Sequence, residues 1–198
     1  MNPQFHLASR SPRRQELLRQ LGLVFDTLPA DIPEQPQPDE SAADYALRMA
    51  VEKAQAAQQR SGTHLPVLGA DTDVVLNGSI LGKPRDRDDG LRMLAALSGR
   101  AHEVYSAVAV IRGDRIERAL SVTQVHFGEI AAAQAAAYWD SGEPADKAGG
   151  YGIQGLGAMF VREIRGSYSG VVGLPLYETV QLLALFGVQT LHPHRNPS

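Results

Sequence analysis

The chain has 198 residues, 43% hydrophobic and 21% charged, with a formal net charge of −3. A chain of this size buries roughly 70% of its unfolded surface, so it needs no covalent staples, and its composition is that of an ordinary globular protein. The acidic balance argues against a dedicated nucleic-acid-binding module, and the absence of cysteine excludes disulfides, thiolate nucleophiles and Cys-ligated zinc.

Phe5 to Ala8 reads as a short buried strand. Ser11 is a good N-cap and Pro12 suits the first helical position, so a helix starts there and stops near Gly22, with Leu17, Leu18 and Leu21 as its apolar stripe. Leu23 to Leu28 reads as a second strand, and the proline- and acid-rich Pro29 to Glu40 as a loop. A helix follows from about Ser41 to Arg60. Val67 to Ala70 is an apolar strand that leads into Asp71-Thr72-Asp73, where the plainer alternative for Asp73 is a solvated strand residue. Asn77-Gly78 between apolar runs marks a hairpin over Val74 to Leu81.

Asp86 to Leu97 forms a helix closed by Gly99, and Val104 to Ile111 and Ile116 to Phe127 form strands joined at Gly113-Asp114. Ile130 to Trp139 is an Ala-rich helix. Gly149 to Gly157 is a loop in which dense glycine implies positive φ or close backbone approach. A strand from Ala158 to Ile164 and a helix from Leu176 to Phe186 complete one domain over residues 1–188, and residues 189–198 read as a flexible tail. Strands alternating with helices, interrupted by hairpins, give an α/β fold with a mixed central sheet flanked by helices. No segment has the length or apolarity to span a bilayer and no signal peptide is visible, which reads as a cytoplasmic protein.

Three clusters carry chemistry. Ser9 to Arg14 sits at a strand-to-helix junction, where free N–H groups, the helix dipole and two arginines suit phosphate oxygens. Asp71, beyond an apolar strand, can bind a metal or orient water, and Lys83 after the hairpin can return a cation toward it. Asp146 to Gly155 is a glycine-dense segment with one amide, Gln154, able to donate and accept toward a nucleobase. No P-loop, GxGxxG, HExxH or GxSxG pattern occurs, and His6 reads as a packed strand residue.

In order along the chain these blocks resemble the Maf family of nucleotide pyrophosphatases. The matching segments are Leu7-Ala8-Ser9-x-Ser11-Pro12-Arg13-Arg14, Glu34, Lys53-Ala54, Gly69-Ala70-Asp71-Thr72, Leu81-Gly82-Lys83-Pro84 and Leu97-Ser98-Gly99. Asp146-Lys147-Ala148-Gly149-x-Tyr151-Gly152-Ile153-Gln154-Gly155 and Val171-Val172-Gly173-Leu174-Pro175 complete them. The resemblance implies an elongated two-lobed fold shared with inosine triphosphate pyrophosphatases, with the active-site cleft between the lobes. It implies hydrolysis of a nucleoside triphosphate to the monophosphate and pyrophosphate with a divalent cation, Mg²⁺ or Mn²⁺. It also implies Asp71 as proton acceptor, with Arg13, Thr72 and Gln154 separating substrate classes, and Thr72 with Gln154 is similar to the dTTP/UTP branch. A neutral Gln suits the mixed donor–acceptor edge of uracil or thymine, where Glu favours a methylated guanine.

On this reading Ser9, Arg13, Arg14, Lys53 and Lys83 hold the triphosphate, Glu34 holds the metal, and Asp71 serves as base or as a second oxygen ligand. The substrate is the main partner; stable nucleic-acid binding and membrane association are not expected, and a homodimer is the default on symmetry grounds. The resemblance also implies a role in limiting modified nucleotides or in cell-division arrest. A nucleotide-binding regulator without turnover is the alternative from another class.

Overall fold

The computed structural model describes residues 2–190. Strand β1 (Phe5–Leu7) leads into helix α1 (Pro12–Gln20), and β2 (Phe25–Thr27) lies parallel beside β1. The long helix α2 (Ala42–Ser61) precedes β3 (Val67–Leu76), which turns back as β4 (Ser79–Leu81). Helix α3 (Arg87–Leu97) is followed by the long hairpin β5 (Ala101–Arg112) and β6 (Arg115–Phe127). Helix α4 (Ala132–Asp140), short 3₁₀ turns, β7 (Val161–Arg165), α5 (Tyr168–Val172) and α6 (Leu176–Leu185) complete the order. The described residues form the mixed α/β fold expected, with a sheet ordered β2-β1-β3-β5-β6-β7 and β4 on β3.

The local signals act where the sequence places them. Ser11 Oγ accepts from the Arg14 N–H at 3.4 Å with Pro12 in the first turn, and Ser41 Oγ caps α2 by accepting from Asp44 N–H at 3.1 Å. Asn77 and Gly78 take φ of 52° and 80°, the left-handed pair that a tight hairpin with right-twisted strands requires. The last strand begins at Val161 rather than Ala158, because Leu156–Phe160 winds as a 3₁₀ turn. Helix α5 was not foreseen; its five residues are too few for a periodic signal. The expected tail lies almost wholly outside the described residues, as do His192 and His194.

Strand β3 organises the site. Along one edge it pairs with β5 over its whole middle, from Val67↔Ile111 to Val75↔Glu103. Its other edge is shared: β1 pairs at Val67 and Leu68, β4 at Val74 to Leu76, and residues 69–73 have no strand partner there. The core divides at the same place. One apolar cluster gathers Leu7, Leu18, Leu68, Ala70, Val108 and Leu183; another gathers Val74, Leu94, Val104, Val125, Tyr138 and Phe160. The cleft between these two lobes therefore opens on the free edge of β3.

Asp71 is thus in mid-strand, opposite Ala107, and not at a strand end. What ends at Leu68 is its neighbour β1. An apolar-to-acidic change reads as a strand terminus, but here it marks where one lobe gives way to the next.

Candidate active site

A strand sends successive side chains to opposite faces. Gly69, Asp71 and Asp73 face α2, whereas Thr72 shares the other face with Leu68, Ala70 and Val74. Gly69 brings α2 close: a Cβ there would lie 2.1 Å from the Ala50 carbonyl oxygen. One turn further along α2, Lys53 meets Asp71.

The Lys53 ammonium stands 2.6 Å from Asp71 Oδ1 and 2.7 Å from Glu34 Oε1. Lys53 and Asp71 are buried, while the side chain of Glu34 is 49% exposed at the cleft. Glu34 reaches the site from the proline-rich loop. Arg48 pins that loop by donating from Nε to Glu40 at 2.6 Å and from Nη2 to the Gln35 carbonyl at 3.1 Å.

Asp73 corrects the expectation of a solvated strand residue. It is only 8% exposed, and its Oδ2 is buried without a hydrogen-bond partner among the described residues. Burial, then the charge of Asp71, pushes its carboxyl up to about 9. The reason is tertiary: α2 covers this face of β3, and no local pattern announces that. Tyr45 of α2 also lines the cleft, and burial followed by the charges of Asp71 and Asp73 raises its phenol.

The three arginines near α1 have separate environments. Arg10 pairs with Asp31 at 2.8 Å on the surface. Arg14 turns inward, donating from Nε to the Gly173 carbonyl at 2.8 Å, from Nη1 to Ser9 Oγ at 3.4 Å and from Nη2 to Thr72 Oγ1 at 3.3 Å. Thr72 Oγ1 itself donates to the Gly173 carbonyl at 3.2 Å. Ser106 extends this network by donating to the Gly170 carbonyl at 2.6 Å. Arg13 and Lys83 make no ion pair among the described residues and face the cleft.

Across the cleft lies the glycine-dense segment. Tyr151 packs in one apolar cluster and Ile153 against the other, so the segment crosses from lobe to lobe. His102, 2% exposed, hydrogen-bonds through Nε2 to the Tyr151 hydroxyl at 2.8 Å. Burial lowers its imidazole to about 4, so the ring is neutral near pH 7. Gln154 is exposed at the mouth. Glu143, Tyr138 and His102 were missed by sequence reasoning, and crowded glycines were the one available signal that something presses on this segment.

The cleft encloses about 1120 Å³, and Ser9, Arg13, Arg14, Glu34, Lys53, Asp71, Thr72, Lys83 and Gln154 all line it. Its chemistry is two-sided, with cations and carboxylates along β3, α1 and α2, and opposite them a glycine-dense segment carrying Glu143, Asp146, Lys147 and the amide of Gln154. No group of three or more carboxylate or histidine side chains among the described residues forms a metal cage. Mg²⁺ is held typically by one or two carboxylates completed by substrate phosphates, so the oxygen donors present fit an ion that arrives with a nucleotide.

Fold and cleft together define a mixed α/β protein with an ionisable site at the junction of two lobes. The sequence profile described as Maf-like protein matches residues 4–186, and the chain belongs to the Maf family. It is 54% identical over 186 residues to a dTTP/UTP pyrophosphatase of Saccharophagus degradans, covering 92% of this chain and 89% of that one. It is 55% identical over 181 residues to a dTTP/UTP pyrophosphatase of Shigella dysenteriae, covering 91% and 92%. Among solved structures, a nucleoside-triphosphatase / dITP/XTP pyrophosphatase from Mycobacterium abscessus is similar at 19% identity and a TM-score of 0.49, over 92% of this chain and 94% of that one. No helix among the described residues is long and apolar enough to cross a membrane.

Proposed function

We propose that the chain hydrolyses dTTP and UTP to the nucleoside monophosphate and pyrophosphate. The relatives that are more than half identical over nearly the whole chain support the substrate class. The observation that carries the reading is the Lys53-bridged carboxylate pair, Asp71 and Glu34, on the free edge of β3. A nucleotide lying across the cleft places its phosphates beside these groups and its base near Gln154.

The triphosphate repels an incoming nucleophile, and Arg13 and Lys83, which line the cleft without an ion-pair partner among the described residues, offset that charge. Arg14 acts from behind, its guanidinium fixed on Gly173, Ser9 and Thr72, so it adds positive potential with little rearrangement. Lys53 fixes the angle of the Asp71 carboxylate. Asp71 takes a proton from water as the water oxygen bonds to the α-phosphorus and the bond to the pyrophosphate leaving group breaks. Glu34 would hold a divalent cation, which when bound supplies charge neutralisation on the phosphate oxygens. Gln154 presents one donor and one acceptor, which matches the edge of uracil or thymine.

The test is pyrophosphate release by the purified protein with dTTP, UTP and 7-methyl-GTP, in Mg²⁺ and in chelator. We expect release from the first two at least about tenfold faster than from the third, a difference within reach of one specific contact. Release from none of them above the chelated control defeats the reading in favour of a binding protein.

A further inference from the structure

The glycines flanking Gln154 are crowded by the protein's own side chains. A Cβ at Gly155 would lie 2.2 Å from Glu143 Oε2, one at Gly157 2.6 Å from the Tyr138 hydroxyl, and one at Gly152 2.8 Å from Lys147 Cε. None of these positions can take a larger residue without displacing the groups beneath. The segment is wrapped around a carboxylate.

That carboxylate belongs to Glu143. Its Oε2 accepts from the Leu156 N–H at 2.7 Å, and its Oε1 from the Gly157 N–H at 3.0 Å and the Tyr138 hydroxyl at 2.7 Å. The Tyr138 hydroxyl in turn accepts from the Gly152 N–H at 3.1 Å. Lys147 closes the back of the assembly by donating to the Glu143 carbonyl at 2.7 Å. Residues 152 and 156–157 are therefore tied to one point, and Gln154 rides on the arch between them. Three donors converge on two oxygens, so only an acceptor-only group satisfies them all. Burial pushes this carboxyl up, but the N–H groups of Gly157 and Leu156 and the Tyr138 hydroxyl outweigh it and hold the group below the ordinary glutamate range.

We propose that Glu143 is a positioning residue for substrate selection, its carboxylate fixing the arch that carries Gln154 over the cleft. The inference rests on the reading in which Gln154 contacts the base. It predicts that Glu143 affects which nucleotide is chosen more than how fast the bound one is cleaved, because Glu143 touches neither Asp71 nor the cations of the phosphate end.

Glu143→Gln keeps the volume but turns one acceptor into an NH₂ that faces a donor. We would measure kcat and KM for UTP and 7-methyl-GTP with the wild type, Glu143→Gln, Gln154→Ala and the double variant, alongside melting temperatures. The expected result for Glu143→Gln is a loss of about tenfold in the kcat/KM ratio of UTP over 7-methyl-GTP, carried by KM for UTP. Because Glu143 acts through Gln154, the double variant should match Gln154→Ala alone. If Gln154→Ala shifts the ratio and Glu143→Gln does not, or if the two losses simply multiply, the positioning role is wrong while the base contact stands. A neutral Gln154→Ala overturns both. Should Glu143→Gln fail to fold, Tyr138→Phe removes the hydroxyl that links Glu143 to Gly152, and the same shift, smaller, is expected; an unchanged ratio in it counts against the proposal.

Discussion

The two walls of the cleft are built on different plans. The wall along β3 is made of side chains projected from long regular elements: Asp71 and Asp73 from a ten-residue strand, and Lys53 from a 20-residue helix. Its charges are fixed in space by backbone geometry, and they compensate one another before any ligand arrives. The opposite wall is built on a glycine-dense segment shaped by Glu143, Tyr138 and His102, with Glu143, Asp146, Lys147 and Gln154 as its polar side chains at the cleft. Chemistry that must stand near a dense negative charge sits on the stiff wall. On the proposed reading, the base contact of Gln154 sits on the wall whose shape can be retuned without touching the reacting atoms.

If that division holds, substitutions on the stiff wall should abolish turnover and those on the other should redistribute it. The largest effect is expected from Asp71→Asn, with a loss of roughly 10²–10⁴-fold in kcat for dTTP and UTP alike, since general-base assistance is of that size. The fold should survive, because Asn keeps the shape that β3 and β5 pack around. Near-normal turnover by a well-folded Asp71→Asn protein would remove Asp71 from the centre of the mechanism.

Lys53→Met comes next and reads out in stability. It deletes the one cation that bridges Asp71 and Glu34, leaving Asp71 charged beside Asp73 at a buried position. Breaking a buried ion pair by removing one partner costs about 3–5 kcal/mol, or roughly 10 °C of melting temperature in a chain of this length. A loss of activity with the melting temperature unchanged would mean that Lys53 serves the substrate alone. The two walls would then differ less than the geometry indicates.

On the second wall, Gln154→Glu should leave kcat for UTP within a few-fold while cutting the preference for UTP over 7-methyl-GTP by about tenfold. Equal losses on both nucleotides would show instead that Gln154 supports the chemistry and that the division between walls is false.

The same contrast explains what was legible in the sequence. Caps and turns are local, so Ser11-Pro12, Ser41 and Asn77-Gly78 could be read directly, and the elements they bound follow within a few residues. On the stiff wall Asp71 was named from its strand context, and Lys53 and Glu34 from the family resemblance; all three meet. What failed were statements depending on a neighbour distant in sequence. Asp71 looked terminal because the apolar run gives way to acidic residues there, whereas β3 runs on to Leu76 and it is the neighbouring β1 that ends, at Leu7. Asp73 looked solvated because nothing local says that α2 roofs it. Thr72 was named beside Asp71 as a residue of the same site; alternation puts it on the opposite face of β3, bonded to Gly173 a hundred residues on, a partner that nothing local announces. On the second wall, His102 reaches Tyr151 across 49 positions. The glycine spacing recorded that something crowds the backbone there but not which side chain does so.

The finest probe of the stiff wall is the pH dependence of Asp73. Its carboxyl is pushed up to about 9 in the folded chain, by burial and then by Asp71, against an ordinary value of 3.8 in the unfolded one. Between those values the folded state holds a proton that the unfolded state has released, so folding stability falls as pH rises through this window. Below about pH 4 both states are protonated and Asp73 contributes nothing to the slope. Asp73→Asn removes the titration while keeping the shape of the protonated acid. The variant should therefore gain on the wild type between pH 5 and pH 8.5, by about 10 °C. An offset between variant and wild type that stays the same at both pH values would mean that Asp73 is ionised in the fold, compensated by Lys53 and Arg14. The carboxylates of this wall would then be balanced by cations alone, with no proton among them.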